Sequence, residues 1–197
     1  MIDSSSIVVA VLAGGEGSRI GGGKPLIKLG KKTLVEQAYD RARRWSSDAV
    51  VAIRSSEQLA NTNLPWIADA AGIEGPLAGL AAALEWTCRL GGQALLTIPC
   101  DMPFLPDDLP RRLADEIGDL CTALASSGGE LHPVCGLWRN EAIYEFPHYC
   151  ASGRRSLKGF GEMLGFAEVE WAAGHPDPFF NINSPADLAA AEEILGT

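Results

Sequence analysis

Two cations and one isolated carboxylate are the residues of this chain best placed to do chemistry. The stretch LAGGEGSRIGGGKPL, Leu12 to Leu26, carries Arg19 and Lys24 among six glycines. Residues without a Cβ let backbone N–H groups turn into a concavity that favours anions. Phosphate is the anion these features predict. Leu12 to Gly15 would let the backbone approach a base and ribose, while Arg19 and Lys24 neutralise a triphosphate and a pyrophosphate leaving group. The second constellation is LLTIPCDMPFLP, where Asp101 follows an apolar run and lies between two prolines. A lone, rigidly held carboxylate suits Mg²⁺, which commonly takes one or two side-chain oxygens and completes its shell with phosphates and water. The competing reading is that Asp101 merely stabilises a turn, as aspartates near proline often do. Asp107 and Asp108 read as helix-start residues.

Two familiar phosphate-binding patterns fail here. The Walker pattern would need glycine where Ser18 stands, and serine or threonine where Pro25 follows Lys24. The dinucleotide fingerprint places Ile20 at its third glycine, and the next helix signal comes only at Thr33.

The elements that must carry these residues alternate along the chain. Ile7 to Ala13 is a continuous apolar run that suits a strand buried on both faces. Thr33 and Glu36 form a capping box before Leu34, Val35, Ala38, Ala42 and Trp45, so a helix starts there. Ala49 to Ile53 and Trp66 to Ala68 read as strands, the latter ending at Asp69. A helix runs from Pro76 to Gly91-Gly92, and a strand from Ala94 to Ile98 ends in PCDMPF. PDDLPRRLADEI reads as a helix, followed by strands near Leu120 to Ala125 and Val134 to Trp138. Beyond Cys150 the pattern fades: SGRRSLKGFGEML is basic and glycine-punctuated, and AAGHPDPFFNINSP holds too many turn formers for an element. Ser184, Pro185 and Asp187 open a last helix. This order predicts an α/β fold, a single-domain, Rossmann-like three-layer arrangement with a mostly parallel central sheet. Its ligands should lie beyond the carboxyl ends of the strands. A nucleotide-binding half of about residues 7–105 would precede an acceptor-binding half of about 106–197.

Bulk composition agrees. Of 197 residues, 47% are hydrophobic and 21% charged, with a formal net charge of −9. That is a globular composition which repels nucleic acid and anionic membranes unless basic groups gather locally. Five cysteines without a C-x-x-C pair exclude a disulfide framework and a zinc-finger spacing, and they read as small core residues in a reducing compartment. The N-terminus has no signal-peptide pattern. A cytoplasmic protein is expected.

The motifs together resemble the molybdenum cofactor guanylyltransferase family of the nucleotidyltransferases. The family's LAGG, three variable residues, Arg, apolar, Gly and Lys correspond to Leu12–Gly15, Arg19, Ile20, Gly21 and Lys24. GPLAG from Gly75, PCDMPFLPDDL, HPVCGL from His132 and FFNINSPADL from Phe179 extend the likeness over nearly the whole chain. The chain departs from the pattern at Gly23, where the family commonly has aspartate.

The resemblance implies transfer of GMP from GTP to molybdenum-bearing molybdopterin, with Mg²⁺ as cofactor and pyrophosphate released. Cofactor-delivering and molybdoenzyme-assembly proteins are the further partners it implies; nucleic acid and membrane are not. It assigns Leu12, Ala13, Gly14, Gly15 and Asp69 to the nucleotide, Lys24 and Arg19 to phosphates, and Asp101, placed near solvent, to the metal. Asn181 and Asn183 would lie on the pterin side, where Arg154, Arg155 and Lys158 could receive the acceptor's phosphate. The competing reading, of equal weight, is that the asparagines only tie down the turn before the last helix. His132 reads as structural, and His148 and His175 have no role. The rivals are a cytidylyltransferase or another nucleotide transferase on this fold, and a non-catalytic nucleotide-binding module.

Overall fold

A computed structural model describes residues 2–14 and 23–196. Gly15 and Arg19, both assigned above to the nucleotide, lie outside the described residues.

Seven strands form one sheet: β1 (Ile7–Leu12), β4 (Ala49–Ile53), β5 (Trp66–Ala68), β6 (Ala94–Pro99), β7 (Thr122–Ser127), β8 (Glu130–Arg139) and β9 (Phe166–Trp171). Between β1 and β4 stand a two-residue hairpin, β2 (Lys28–Leu29) and β3 (Lys32–Thr33), and helix α1 (Leu34–Trp45). The remaining helices are α2 (Pro76–Leu90), α3 (Leu109–Glu116), α4 (Phe146–Ala151), α5 (Leu157–Leu164) and α6 (Pro185–Leu195). The sheet order is β5-β4-β1-β6-β8-β7-β9. All neighbours run parallel except β8, which is antiparallel to both β6 and β7.

Alternation along β1 explains the layers. Val9 and Val11 face a core shared with Val35, Ala38 and Ala42 of α1 and with Leu109 and Leu113 of α3. Val8, Ala10 and Leu12 face the opposite core, built with Leu77, Leu80 and Leu84 of α2 and with Phe160 of α5. Successive side chains of a strand point to opposite faces, so an unbroken apolar run needs helices on both.

Most predicted boundaries hold within a residue or two. Thr33 caps α1 through the expected reciprocal bonds with Glu36, Ser184 does the same with Asp187 for α6, and Gly91 ends α2 in the left-handed region. Three expectations are corrected. After Cys150 the chain forms α5 and then β9, which pairs with β7 over six residues. Strand β8 starts at Glu130, four residues before the expected start, because the pairing shifts from Leu124–Gly136 to Ala125–His132. Pro133 falls inside that irregularity, where a strand tolerates a missing N–H. Of the cysteines, Cys100 and Cys135 are buried, but Cys88 is exposed; all five are free.

Candidate active site at the sheet's carboxyl edge

Strand β1 leads to β4 and β5 on one side and is flanked by β6 on the other, so the chain's direction of travel reverses at the β1–β6 boundary. Open α/β sheets take their ligands in the crevice at such a reversal. A cavity of about 280 Å³ lies there, lined by Leu12, Ala13 and Gly14 at the end of β1 and by Pro99, Cys100 and Asp101 at the end of β6. The pairing of Leu12 with Pro99 sets these two loops side by side.

Lys24 and Asp101 meet inside this cavity. Lys24 Nζ stands 2.5 Å from Asp101 Oδ2 and donates to Asn183 Oδ1 at 2.8 Å. Their side chains are only 12% and 15% exposed, so Asp101 does not lie near solvent as expected. A turn and a bond position this group. Gly23, at φ 62°, turns the backbone into the left-handed region before the short 3₁₀ turn Lys24–Leu26, and Ile182 N–H donates to the Asp101 carbonyl at 2.9 Å. Glycine adopts that conformation without the penalty a Cβ brings, which gives the departure at Gly23 a structural reason. The Ile182 bond brings Asn181 and Asn183 to the Lys24–Asp101 pair.

Asp69 follows β5, held by its own N–H to the Ile53 carbonyl at 2.8 Å. Two glycines make room for its carboxylate. A Cβ on Gly14 would stand 2.5 Å from Asp69 Oδ2, and one on Gly79 would stand 3.3 Å from Oδ1. Burial pushes this carboxyl above its ordinary range, while the Arg54 charge pulls it back. The outer oxygens Asp69 Oδ1, Asp101 Oδ1 and Asn181 Oδ1 are buried without a hydrogen-bond partner. Buried acceptors left in this way mark where a ligand's donors or a cation would bind. Cys100 also lines the cavity, but burial pushes its thiol far up, so it is no nucleophile.

Leu12, Ala13, Gly14, Lys24, Asp69, Asp101 and Asn181 therefore share one cavity, with Asn183 bonded to Lys24. Arg154 and Arg155 are not brought to it. Arg154 pairs with Glu162 at 3.0 Å and stacks over Tyr149, and Arg155 donates to the Cys150 carbonyl. Asp107 pairs with Arg41 and Arg44, and Asp108 accepts from Trp171 Nε1 at 3.0 Å without capping α3. Sequence reasoning missed Arg54 and Gly79 in the lining. Arg54 carried a usable signal, since it follows directly on the carboxyl end of a strand.

A second cleft, of about 440 Å³, adjoins the first through Asn181 and is lined by Ser127, His132, Asp177 and Phe179. Ser127 Oγ lies 2.9 Å from His132 Nε2 and donates to Asp177 Oδ1 at 3.1 Å. The hydroxyl, not the imidazole, occupies the middle, so this is not the nucleophile–base–acid order of a hydrolase. His132 stacks on Phe179 with ring centroids 4.7 Å apart.

A glycine-flanked strand end, a lysine and two carboxylates gather at a strand-order reversal, and the class defined by this fold and site is the α/β nucleotidyltransferases. The model of the MobA-like NTP transferase domain matches residues 9–164. A molybdenum cofactor guanylyltransferase of Cereibacter sphaeroides is 38% identical over 189 residues, covering 94% of this chain and 95% of that protein. One from Mesorhizobium japonicum is 40% identical over 200 residues, covering 94% of each. The crystal structure of molybdopterin-guanine dinucleotide biosynthesis protein A from Archaeoglobus fulgidus superposes with a TM-score of 0.76 at 26% identity, covering 95% of this chain and 98% of that one. The chain belongs to the MobA-like NTP transferase family, within the molybdenum cofactor guanylyltransferases.

Proposed function

We propose that the protein transfers GMP from GTP to molybdenum-bearing molybdopterin, forming the guanine dinucleotide cofactor and pyrophosphate. The names of its relatives supply the substrates, and the observation that carries the reading is the meeting of Lys24, Asp101 and Asn183 beside the Leu12–Gly14 backbone.

An oxygen of the acceptor's terminal phosphate attacks the α-phosphorus of GTP as the bond to the β-phosphate oxygen breaks and its electron pair leaves on pyrophosphate. Such a displacement needs alignment and charge neutralisation more than a strong base. Leu12, Ala13 and Gly14 hold the guanosine, and Asp69 contacts it. Lys24 exchanges its pairing with Asp101 for the phosphates. Arg19 is assigned a second phosphate contact on sequence alone. A divalent cation fits Asp101, whose Oδ1 is a hard oxygen donor buried without a partner. Among the described residues no cluster of three or more His, Cys, Asp or Glu could hold a metal, so phosphate and water oxygens would complete the shell of Mg²⁺. When bound, Mg²⁺ supplies positive charge to the phosphates. Asn181 and Asn183 face the acceptor, which enters by way of the His132 cleft.

The test is a melting experiment followed by turnover. GTP with Mg²⁺ raises the melting temperature more than CTP with Mg²⁺ does, because a ligand bound only by the folded form stabilises it. Pyrophosphate then appears when molybdopterin is added. A larger shift with CTP would move the reading to cytidylyl transfer, and nucleotide binding without pyrophosphate release would leave a binding module.

A further inference from the structure

Ser127, His132 and Asp177 form a hydrogen-bonded chain to which the transfer reaction gives no part. The protons available fix its direction. A carboxylate only accepts, and a hydroxyl has one proton. Ser127 Oγ spends that proton on Asp177, lying 3.1 Å from Oδ1 and 3.2 Å from Oδ2. In the 2.9 Å contact between Ser127 Oγ and His132 Nε2, the imidazole N–H is therefore the donor. His132 is thus held as the tautomer protonated on Nε2, with Nδ1 left as a bare acceptor. Burial pushes this imidazole below its ordinary pKa, against the pull of Glu130 and Asp177, so the ring is neutral at pH 7.

The ring plane is fixed as well. It lies 8° from that of Phe179, which is itself buried and meets Trp171 edge-on at 5.5 Å. Asp177 is pinned in turn, because its Oδ1 accepts the Phe179 N–H at 2.7 Å. His132 Nδ1 takes no hydrogen bond from a described residue and is not sealed from solvent, so it opens onto the cleft that His132 lines. Three acceptors, His132 Nδ1, Asp177 and Glu130, stand on this end of the cleft, and two of them are carboxylates. Carboxylates repel a phosphate, whereas Lys24 attracts one at the other end, beyond Asn183. A substrate lying across both cavities is oriented by that difference. Its phosphate points to Lys24, and a ring bearing N–H donors points to His132.

We propose that this end of the cleft binds the pterin ring of the acceptor, with His132 Nδ1 accepting a hydrogen bond from a ring N–H. Ser127 and Asp177 are positioning residues, which set the tautomer that leaves Nδ1 free to accept. The inference rests on the guanylyl-transfer reading and adds the group that recognises the ring of the second substrate. Asp177→Asn reverses the chain with little change of shape. The amide oxygen still accepts from Phe179 N–H, the amide nitrogen donates to Ser127 Oγ, and the hydroxyl proton turns to His132 Nε2. The ring proton then sits on Nδ1, and the acceptor has become a donor.

Nitrogen-15 NMR of the full chain labelled at histidine reads the tautomer, and pyrophosphate release with GTP, Mg²⁺ and molybdopterin reads the reaction. In the unaltered protein His132 carries its proton on Nε2, and the signal of the bare Nδ1 shifts when molybdopterin is added. In Asp177→Asn the two nitrogens exchange character. The KM for molybdopterin then rises about tenfold or more, the effect of losing one hydrogen bond and facing donor with donor, while the KM for GTP does not change. A proton on Nδ1 in the unaltered protein overturns the proposal. So does a tautomer that stays put in the variant, or an unchanged molybdopterin KM once it has reversed. Should Asp177→Asn not fold, the unaltered protein still decides, since an Nδ1 signal that ignores bound molybdopterin overturns the proposal. An unaltered protein that releases no pyrophosphate from GTP and molybdopterin refutes guanylyl transfer itself; one that turns over while Nδ1 ignores molybdopterin refutes only this role of His132.

Discussion

Lys24 and Asp101 hold opposite charges 2.5 Å apart with little water around either. A pair taken out of water in this way adds little net stability, but removing one partner strands the other. Asp101→Ala therefore does two things: turnover falls to background, and the protein also loses stability because Lys24 keeps only Asn183. Calorimetric melting beside a pyrophosphate assay separates the two, and full turnover in that variant would take Asp101 out of the mechanism. Lys24→Ala should weaken GTP by roughly tenfold to a hundredfold, the worth of one hydrogen bond to a charged group. Guanosine should bind that variant nearly unchanged. Equal losses for both ligands would refute the phosphate role of Lys24.

Helix ends were the most legible elements, because a cap is a local event. Thr33, Glu36, Ser184 and Asp187 identify the starts of α1 and α6 without any tertiary contact. The same bonds predict an acid sensitivity. The Thr33 backbone N–H lowers the Glu36 carboxyl, and the Asn183 backbone N–H lowers that of Asp187. A carboxyl depressed in the folded state contributes stability above its unfolded value and loses it as the pH falls through the folded one. Urea midpoints should accordingly drop below about pH 4. The drop should shrink in Glu36→Gln, and an unchanged acid response in that variant would remove the cap from the account. Helix α5 and strand β9 were illegible for the opposite reason. Leu157, Phe160 and Gly161 gain their meaning only from packing with the core on that face, and Gly161 lies where a Cβ would be 3.0 Å from Leu124. The site was read to the same degree. Lys24, Asp69 and Asp101 follow strands or glycines and could be found, whereas the link from Asn183 to Lys24 spans 159 residues and has no local signature.

At the level of the whole molecule, Trp138 of β8 ties together β6 and α5, segments far apart in the chain. Fully buried, it donates from Nε1 to Thr97 Oγ1 at 3.0 Å in β6 and stacks on Phe160 of α5 with centroids 5.9 Å apart. One continuous sheet with such a joint should unfold in one step. Trp138→Ala should cost about 3–5 kcal/mol and lower the urea midpoint equally by tryptophan fluorescence and by far-ultraviolet dichroism; two separate midpoints in the unaltered protein would mean that the halves fold independently. Among the described residues no helix is long and apolar enough to cross a membrane. The reversed direction of β8 governs how this molecule can be altered. Its start, Glu130 and His132, comes back to the edge where the parallel strands finish, through a turn at Gly128 and Gly129. One wall of the double cleft is thus a hairpin tip, free to lengthen or change composition, while the opposite wall is locked into the sheet's centre. Residues can be inserted or exchanged at that tip without breaking the pairing of β1 with β4 and β6, which carries Leu12 and Pro99.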